Sequence, residues 1–157
     1  MRTGPAILLA ALAGACAPSQ GTKPVDRIEL RLSGWTAVDV EVGRGGEGHY
    51  HLSEPLPHGR SGAFQIAPRQ FETLVERLRP YRAQAVPMDA KSAAEMVNRR
   101  CEAAHFVTDQ GGVCVHWIGP DTNAHYLADL GCDPHRNAAR NADLLSILRS
   151  LPVPFDR

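Results

Sequence analysis

Three consecutive runs near the start of the body alternate apolar and polar positions with period two. In Arg27–Ser33, the residues Ile28, Leu30 and Leu32 alternate with Arg27, Glu29 and Arg31. In Ala37–Gly43, the set Val38, Val40 and Val42 alternates with Asp39 and Glu41, and in Glu47–Ser53 Tyr50 and Leu52 alternate with Glu47, His49 and His51. Side chains of a strand point to opposite faces in turn, so this pattern predicts antiparallel strands with one face in the core and one in water. The joints are turn material: Ser33-Gly34-Trp35 and the glycine-rich stretch from Gly43 to Gly48. In this register Arg27 and Arg31 stand against Asp39 and Glu41 on the wet face, a favourable cross-strand pairing.

The period then changes. After a polar loop from Ser53 to Gly62 and a short apolar run from Ala63 to Ile66, Phe71, Leu74, Val75 and Leu78 recur at helical spacing behind Pro68. This predicts an amphipathic helix with proline in its first turn, stopped by Pro80. Residues 82–112 carry little pattern beyond a weak helix over 92–99, and such a long irregular stretch in a compact domain is either functional or tied down covalently. Val113–Ile118 and Ala124–Leu130 then make a hairpin about the Gly119-Pro120-Asp121-Thr122 turn. A final helix is expected from Asp133-Pro134, with Leu144, Leu145, Leu148 and Leu151 buried and Pro152 ending it. The sum is a two-layer α+β domain: a mostly antiparallel sheet of about five or six strands with two main helices on one face.

Composition adds exclusions more than direction. The chain has 157 residues, with 43% hydrophobic and 22% charged, values of an ordinary packed domain. Its 17 basic and 17 acidic residues cancel, and loss of a leader carrying Arg2 would leave −1, so no long-range field draws it to nucleic acid. The basic residues are 15 Arg and 2 Lys, scattered among acids as on a solvated surface rather than gathered into a phosphate site.

The first 16 residues change the picture. Arg2 is followed by an apolar run from Ala6 to Ala13, shorter than the roughly 20 residues that span a bilayer, and Ala13-Gly14-Ala15 precede Cys16. This resembles the lipobox of bacterial lipoproteins, with Ala13 where a branched aliphatic is usual and Leu12 one place earlier. The resemblance implies cleavage before Cys16, acylation of its thiol, residues 1–15 as signal peptide and 16–26 as anchor and flexible tether, with 27–157 as the single domain. Ala17 after the cysteine points, by the sorting habit of that family, to the outer membrane. The rival reading uses the same bond: Ala13-x-Ala15 also suits ordinary signal peptidase, which would release a soluble periplasmic protein.

With Cys16 lipidated, Cys101, Cys114 and Cys132 remain, one pair and one odd thiol. Cys114 lies in an apolar strand and reads as a small core hydrophobe, which leaves Cys101–Cys132 as the expected disulfide in an oxidising compartment. Against it stands a zinc reading, since Cys101 with His105 and Cys132 with His135 offer four tetrahedral ligands. His49 and His51, two apart on one strand near His58, are a further metal candidate. His116, His125 and Asp129 supply the parts of a general base, beside no nucleophile other than Cys114. Gly59–Gly62 lacks nucleophile-elbow spacing, and the Gly43–Gly48 turn lacks the lysine of a phosphate loop. No catalytic set and no cofactor is assigned from these patterns.

The body, from Asp26 to Pro152, also resembles a family of small secreted bacterial domains of unknown function. The resemblance is carried by Ile28-Glu29-Leu30, Gly34, the Phe64–Leu78 block, Thr108-Asp109 and Val113-Cys114-Val115, and it implies fold and compartment alone. The expectation is therefore an envelope lipoprotein facing the periplasm, whose domain is a non-enzymatic binding or structural module for an unknown protein or small molecule. A small metal-dependent or His/Asp-dependent hydrolase is the alternative.

Overall fold

The computed structural model describes residues 23–34, 37–53, 59–89, 101 and 105–154. Four strands come first: β1 (Arg27–Leu32), β2 (Ala37–Gly43), β3 (Glu47–Ser53) and β4 (Arg60–Gln65). Two helices follow, α1 (Pro68–Arg77) and the single turn α2 (Arg79–Arg82), then β5 (Val86–Pro87), the hairpin β6 (Gly112–Gly119) and β7 (Thr122–Asp129), and α3 (Ala138–Arg149). The strands form one sheet in the order β4-β3-β2-β1-β6-β7-β5, with every neighbouring pair antiparallel. The fold is α+β. Its sheet has seven strands rather than five or six, because β5 is two residues long, contains a proline and leaves no periodicity to read.

The alternation works as expected. Ile28 and Leu30, Val38, Val40 and Val42, Leu52, Val113, Val115 and Trp117, and Tyr126 and Ala128 are all buried and share one face of the sheet. Phe71 and Leu74 of α1, Leu78 beyond it, and Leu144, Ile147 and Leu148 of α3 complete the same core. Both helices therefore lie on that face. Each large apolar side chain withdrawn from water contributes about 1.5–3 kcal/mol, so the two helices are held by burial rather than by helix propensity.

Local departures have identifiable causes. Pro68 opens α1, and the Gln70 side chain accepts from the Ala67 amide at 2.7 Å. Pro80 does not end the helical path: α2 adds a turn, because proline is tolerated at the first positions of a new helical segment. The last helix begins later than Asp133-Pro134 suggests. Asp133 sits at φ 43°, residues 134–137 form turns, and α3 starts at Ala138 after Asn137. Asp133 still organises the entry, with its carbonyl accepting from the Asn137 amide at 3.0 Å and its carboxylate from the Arg136 amide at 3.3 Å. Ile147, not Leu145, fills the centre of the buried stripe.

Residues 92–99, where a weak helix is expected, Trp35, His58, the leader and residues 16–22 with Cys16 lie outside the described residues. The end of the expected tether is not free: Val25 is buried in the core, Asp26 N donates to Ile118 O at 2.8 Å and Lys23 O accepts from Arg82 at 2.6 Å, so residues 23–26 belong to the domain. Among the described residues no helix is long and apolar enough to cross a membrane.

Candidate functional site

Helices cover one face of the sheet, and the opposite face carries the polar half of each strand. The ladder pairs Glu29 with Glu41 and His116, Arg31 with Asp39 and Cys114, Asp39 with His51, and His51 with Ser61. Together with His49 and the overhanging Met88 they line an open groove of about 720 Å³ across β6, β1, β2, β3 and β4.

The groove's charges are engaged with one another, with three carboxylates, Glu29, Asp39 and Glu41, against the two guanidiniums of Arg27 and Arg31. The Arg31 guanidinium bonds the Asp39 carboxylate, which holds the arginine's pKa above its ordinary value. Arg27 reaches Glu29 at 3.3 Å and Glu41 at 3.4 Å, as the sequence-level register anticipates. His116 is bound at both ring nitrogens: Nδ1 lies 3.0 Å from Glu29 Oε2 and Nε2 lies 2.7 Å from Asn123 Oδ1. Two oxygen acceptors at once are satisfied only by a ring with both nitrogens protonated or by a flipped Asn123 amide. Either way the ring is fixed in place between strands β1 and β7.

His125 stands opposite His116 in the ladder but is only 3% exposed. Asp129 is turned to the end of its own strand, where its carboxylate accepts the Gly131 amide at 2.8 Å. The His116, His125 and Asp129 set of the sequence reading thus has one ring held, one buried and the acid engaged elsewhere. His49 and His51 do share the open face, as expected. His51 Nδ1 lies 2.8 Å from Ser61 Oγ, a serine–histidine contact that sequence reasoning missed because Ser61 sits in a Gly-rich run that reads as loop. Among the described residues no third group bonds that ring in the manner of a triad. A Cβ on Gly59 would fall 3.3 Å from His51 Nε2, so that nitrogen faces backbone, while Asp39 is held by Arg31.

Cys114 corrects the sequence reading. It is half-buried and faces the groove, not the core, because Val113, Val115 and Trp117 own the buried parity of β6. Burial pushes its thiol pKa up, with Glu29 adding to the shift and Arg31 opposing it.

Cys101 and Cys132 form a disulfide, with Cα atoms 5.3 Å apart across a separation of 31 residues. The two thiols are joined to each other, so they are not ligands for zinc with His105 and His135, both of which are exposed. Backbone bonds reinforce the tie: Val107 N donates to Gly131 O at 2.9 Å and Asp133 N to His105 O at 2.8 Å. Beside it lies a second, more open concavity of about 800 Å³ bordered by Ser33, Gly34, Phe106, Val107, Leu127 and Asp129, with Phe106 54% exposed. Among the described residues no three His, Cys, Asp or Glu side chains gather to hold a metal ion.

No protein-family model matches the sequence, and comparison with curated proteins finds no match either. Among solved structures the chain is similar to an SsgA-like sporulation-specific cell division protein from Thermobifida fusca, at 10% identity over 88% of each chain with a TM-score of 0.20. A superposition at that level carries no argument about fold or activity.

Proposed function

We propose that the protein is an exported envelope lipoprotein, anchored through Cys16, whose domain binds a neutral polar ligand in the groove on the open face of its sheet. The observation that carries the binding reading is the groove itself. It offers many hydrogen-bonding groups, yet Arg31 is matched by Asp39, Arg27 by Glu29 and Glu41, and His116 by Glu29 and Asn123. A charged ligand would have to compete with these partly exposed pairs, which a neutral one leaves in place. The Cys101–Cys132 bridge supports the compartment, since such bonds persist where the surroundings are oxidising. In this reading residues 16–22 tether the domain just off an outer-membrane surface facing the periplasm.

Metabolic labelling with a palmitate analogue, followed by fractionation of the envelope, tests the anchor. Label and membrane association are expected for the natural chain, with both lost in Cys16→Ser. An unlabelled protein in the soluble fraction would favour release by ordinary signal peptidase.

A hydrolase reading rests on the Ser61–His51 contact at 2.8 Å. A serine activated in this way reacts with a fluorophosphonate probe, and Ser61→Ala removes the adduct. The binding reading predicts no adduct at Ser61 in either chain.

A further inference from the structure

The two edges of the sheet are built differently. The β5 edge is two residues long and carries Pro87, a short strand with a missing amide that blunts further pairing. The β4 edge is six residues of Arg-Ser-Gly-Ala-Phe-Gln with no proline and one charge, and no described strand lies on its outer side.

Which backbone groups β4 turns outward follows from its inner pairing. Ile66 N donates to Gly46 O at 2.9 Å, one step beyond the Gln65–Glu47 pair. Residues of an antiparallel strand alternate between bonding inward and outward. Ile66, Phe64, Gly62 and Arg60 therefore bond to β3, and Ser61, Ala63 and Gln65 present their amides and carbonyls to whatever lies beside the edge. Their side chains, on the open face, are exposed and uncharged. Among the described residues nothing occupies the outer side of Ser61, Ala63 and Gln65, so an extended chain can add there.

We propose that this edge pairs antiparallel with the β4 edge of a second copy of the same chain, about a two-fold axis at Ala63. The strand is self-complementary in that register. Ser61 meets Gln65 of the second copy, a polar pair, and Ala63 meets Ala63. On the helix side Gly62 meets Phe64 of the second copy, so each ring is set against a glycine rather than another ring. The one charge, Arg60, falls opposite Ile66 of the second copy and not opposite another arginine. With the axis normal to the sheet, two seven-stranded sheets join edge to edge and both open grooves face the same side. Ser61 lines the groove as well as flanking the seam, so the two grooves run toward each other across it. The interface is small, so association is weak and concentration-dependent. The pairing does not depend on the anchor or on the groove's ligand.

Cysteine cross-linking tests the register on the full chain with Cys16→Ser and Cys114→Ser, which leaves the Cys101–Cys132 bridge and no other thiol. Ala63→Cys in this background is expected to give, under mild oxidation, a disulfide-linked product of twice the chain mass. His49→Cys, on the same open face one strand inward, is expected to stay monomeric. Sedimentation of the natural sequence in the same background should show self-association, weakened about 30-fold by Ala63→Pro, the equivalent of the two hydrogen bonds lost. Because the Ala63 amide points away from β3, the proline should leave the fold intact. Ala63→Lys sets like charges face to face, keeps the inner ladder, and should weaken association with an unchanged melting temperature. The proposal is overturned if Ala63→Cys stays monomeric, if His49→Cys cross-links as fast, if the product is not twice the chain mass, or if association survives both Ala63 variants.

Discussion

A single parity decides the chemistry of Cys114. One place along in either direction the side chain is Val113 or Val115 in the core, whereas position 114 opens on the groove beside Arg31. Burial and Glu29 raise the thiol pKa there more than Arg31 lowers it. Native protein is therefore expected to take up iodoacetamide slowly at Cys114, with the alkylation rate climbing at a higher pH than for an exposed thiol near 8.5. Arg31→Met should slow the reaction further, and intact mass against time and pH reads both. Tyr81 offers the second residue-scale test, because its hydroxyl donates to Asp143 at 2.6 Å. Burial first, and that bond second, hold its pKa above the tyrosine range. The unfolded chain loses this proton near pH 10 while the folded chain keeps it, so the contribution to stability is complete below that pH and falls away above it. Tyr81→Phe should cost about 1–2 kcal/mol at neutral pH and flatten the alkaline fall of the melting temperature. Neither prediction was available from the sequence, since Asp143 is 62 residues from Tyr81 and reads as one more solvated acid.

At the scale of elements, the hairpins were the most legible feature. The β2–β3 connection closes through Gly46, whose amide donates to Gly43 O at 2.9 Å and whose φ of 89° belongs to glycine. A Cβ there would run into Ile66 O, the carbonyl just beyond β4. Gly46→Ala is expected to destabilise by about 1–3 kcal/mol, measured by denaturant unfolding. What misled sequence reasoning at this scale was punctuation. Pro80 reads as a stop but opens α2, and Asp133-Pro134 reads as a helix start but forms a turn that delays α3. Proline and aspartate report local dihedral preferences, and the flanking packing chooses which of the compatible turns is used. The β4 strand was half visible, as the run Ala63–Ile66. Its first half, Arg60-Ser61-Gly62, looks like loop and is extended only because β3 supplies a ladder to bond to.

For the molecule as a whole, the Cys101–Cys132 bridge ties together the two ends of the segment that carries the β6–β7 hairpin, across a separation of 31 residues. Constraining the unfolded chain in this way is worth about 3–4 kcal/mol, so Cys132→Ser should lower the unfolding free energy, measured by denaturant titration, by that amount. Reduction of the natural chain should reproduce the loss, and Cys114→Ser should not. The loop's return is also fixed by the Val107–Gly131 and Asp133–His105 backbone bonds. If the variant kept full stability, those bonds alone would hold the segment. The amino-acid order by itself determined the α+β class, the parity of β1, β2 and β3 and the amphipathic helices, and it pointed to the cysteine pairing. Each of these depends on local periodicity or on counting thiols, which a linear chain displays. Only the tertiary structure decided that β1 is central with β6 beside it, that Ser61 reaches His51, that His116 is held between Glu29 and Asn123, and which sheet edge stays open. Those are facts about neighbours far apart in sequence, and they arise when burying the apolar parity of every strand against two helices forces one order on the sheet.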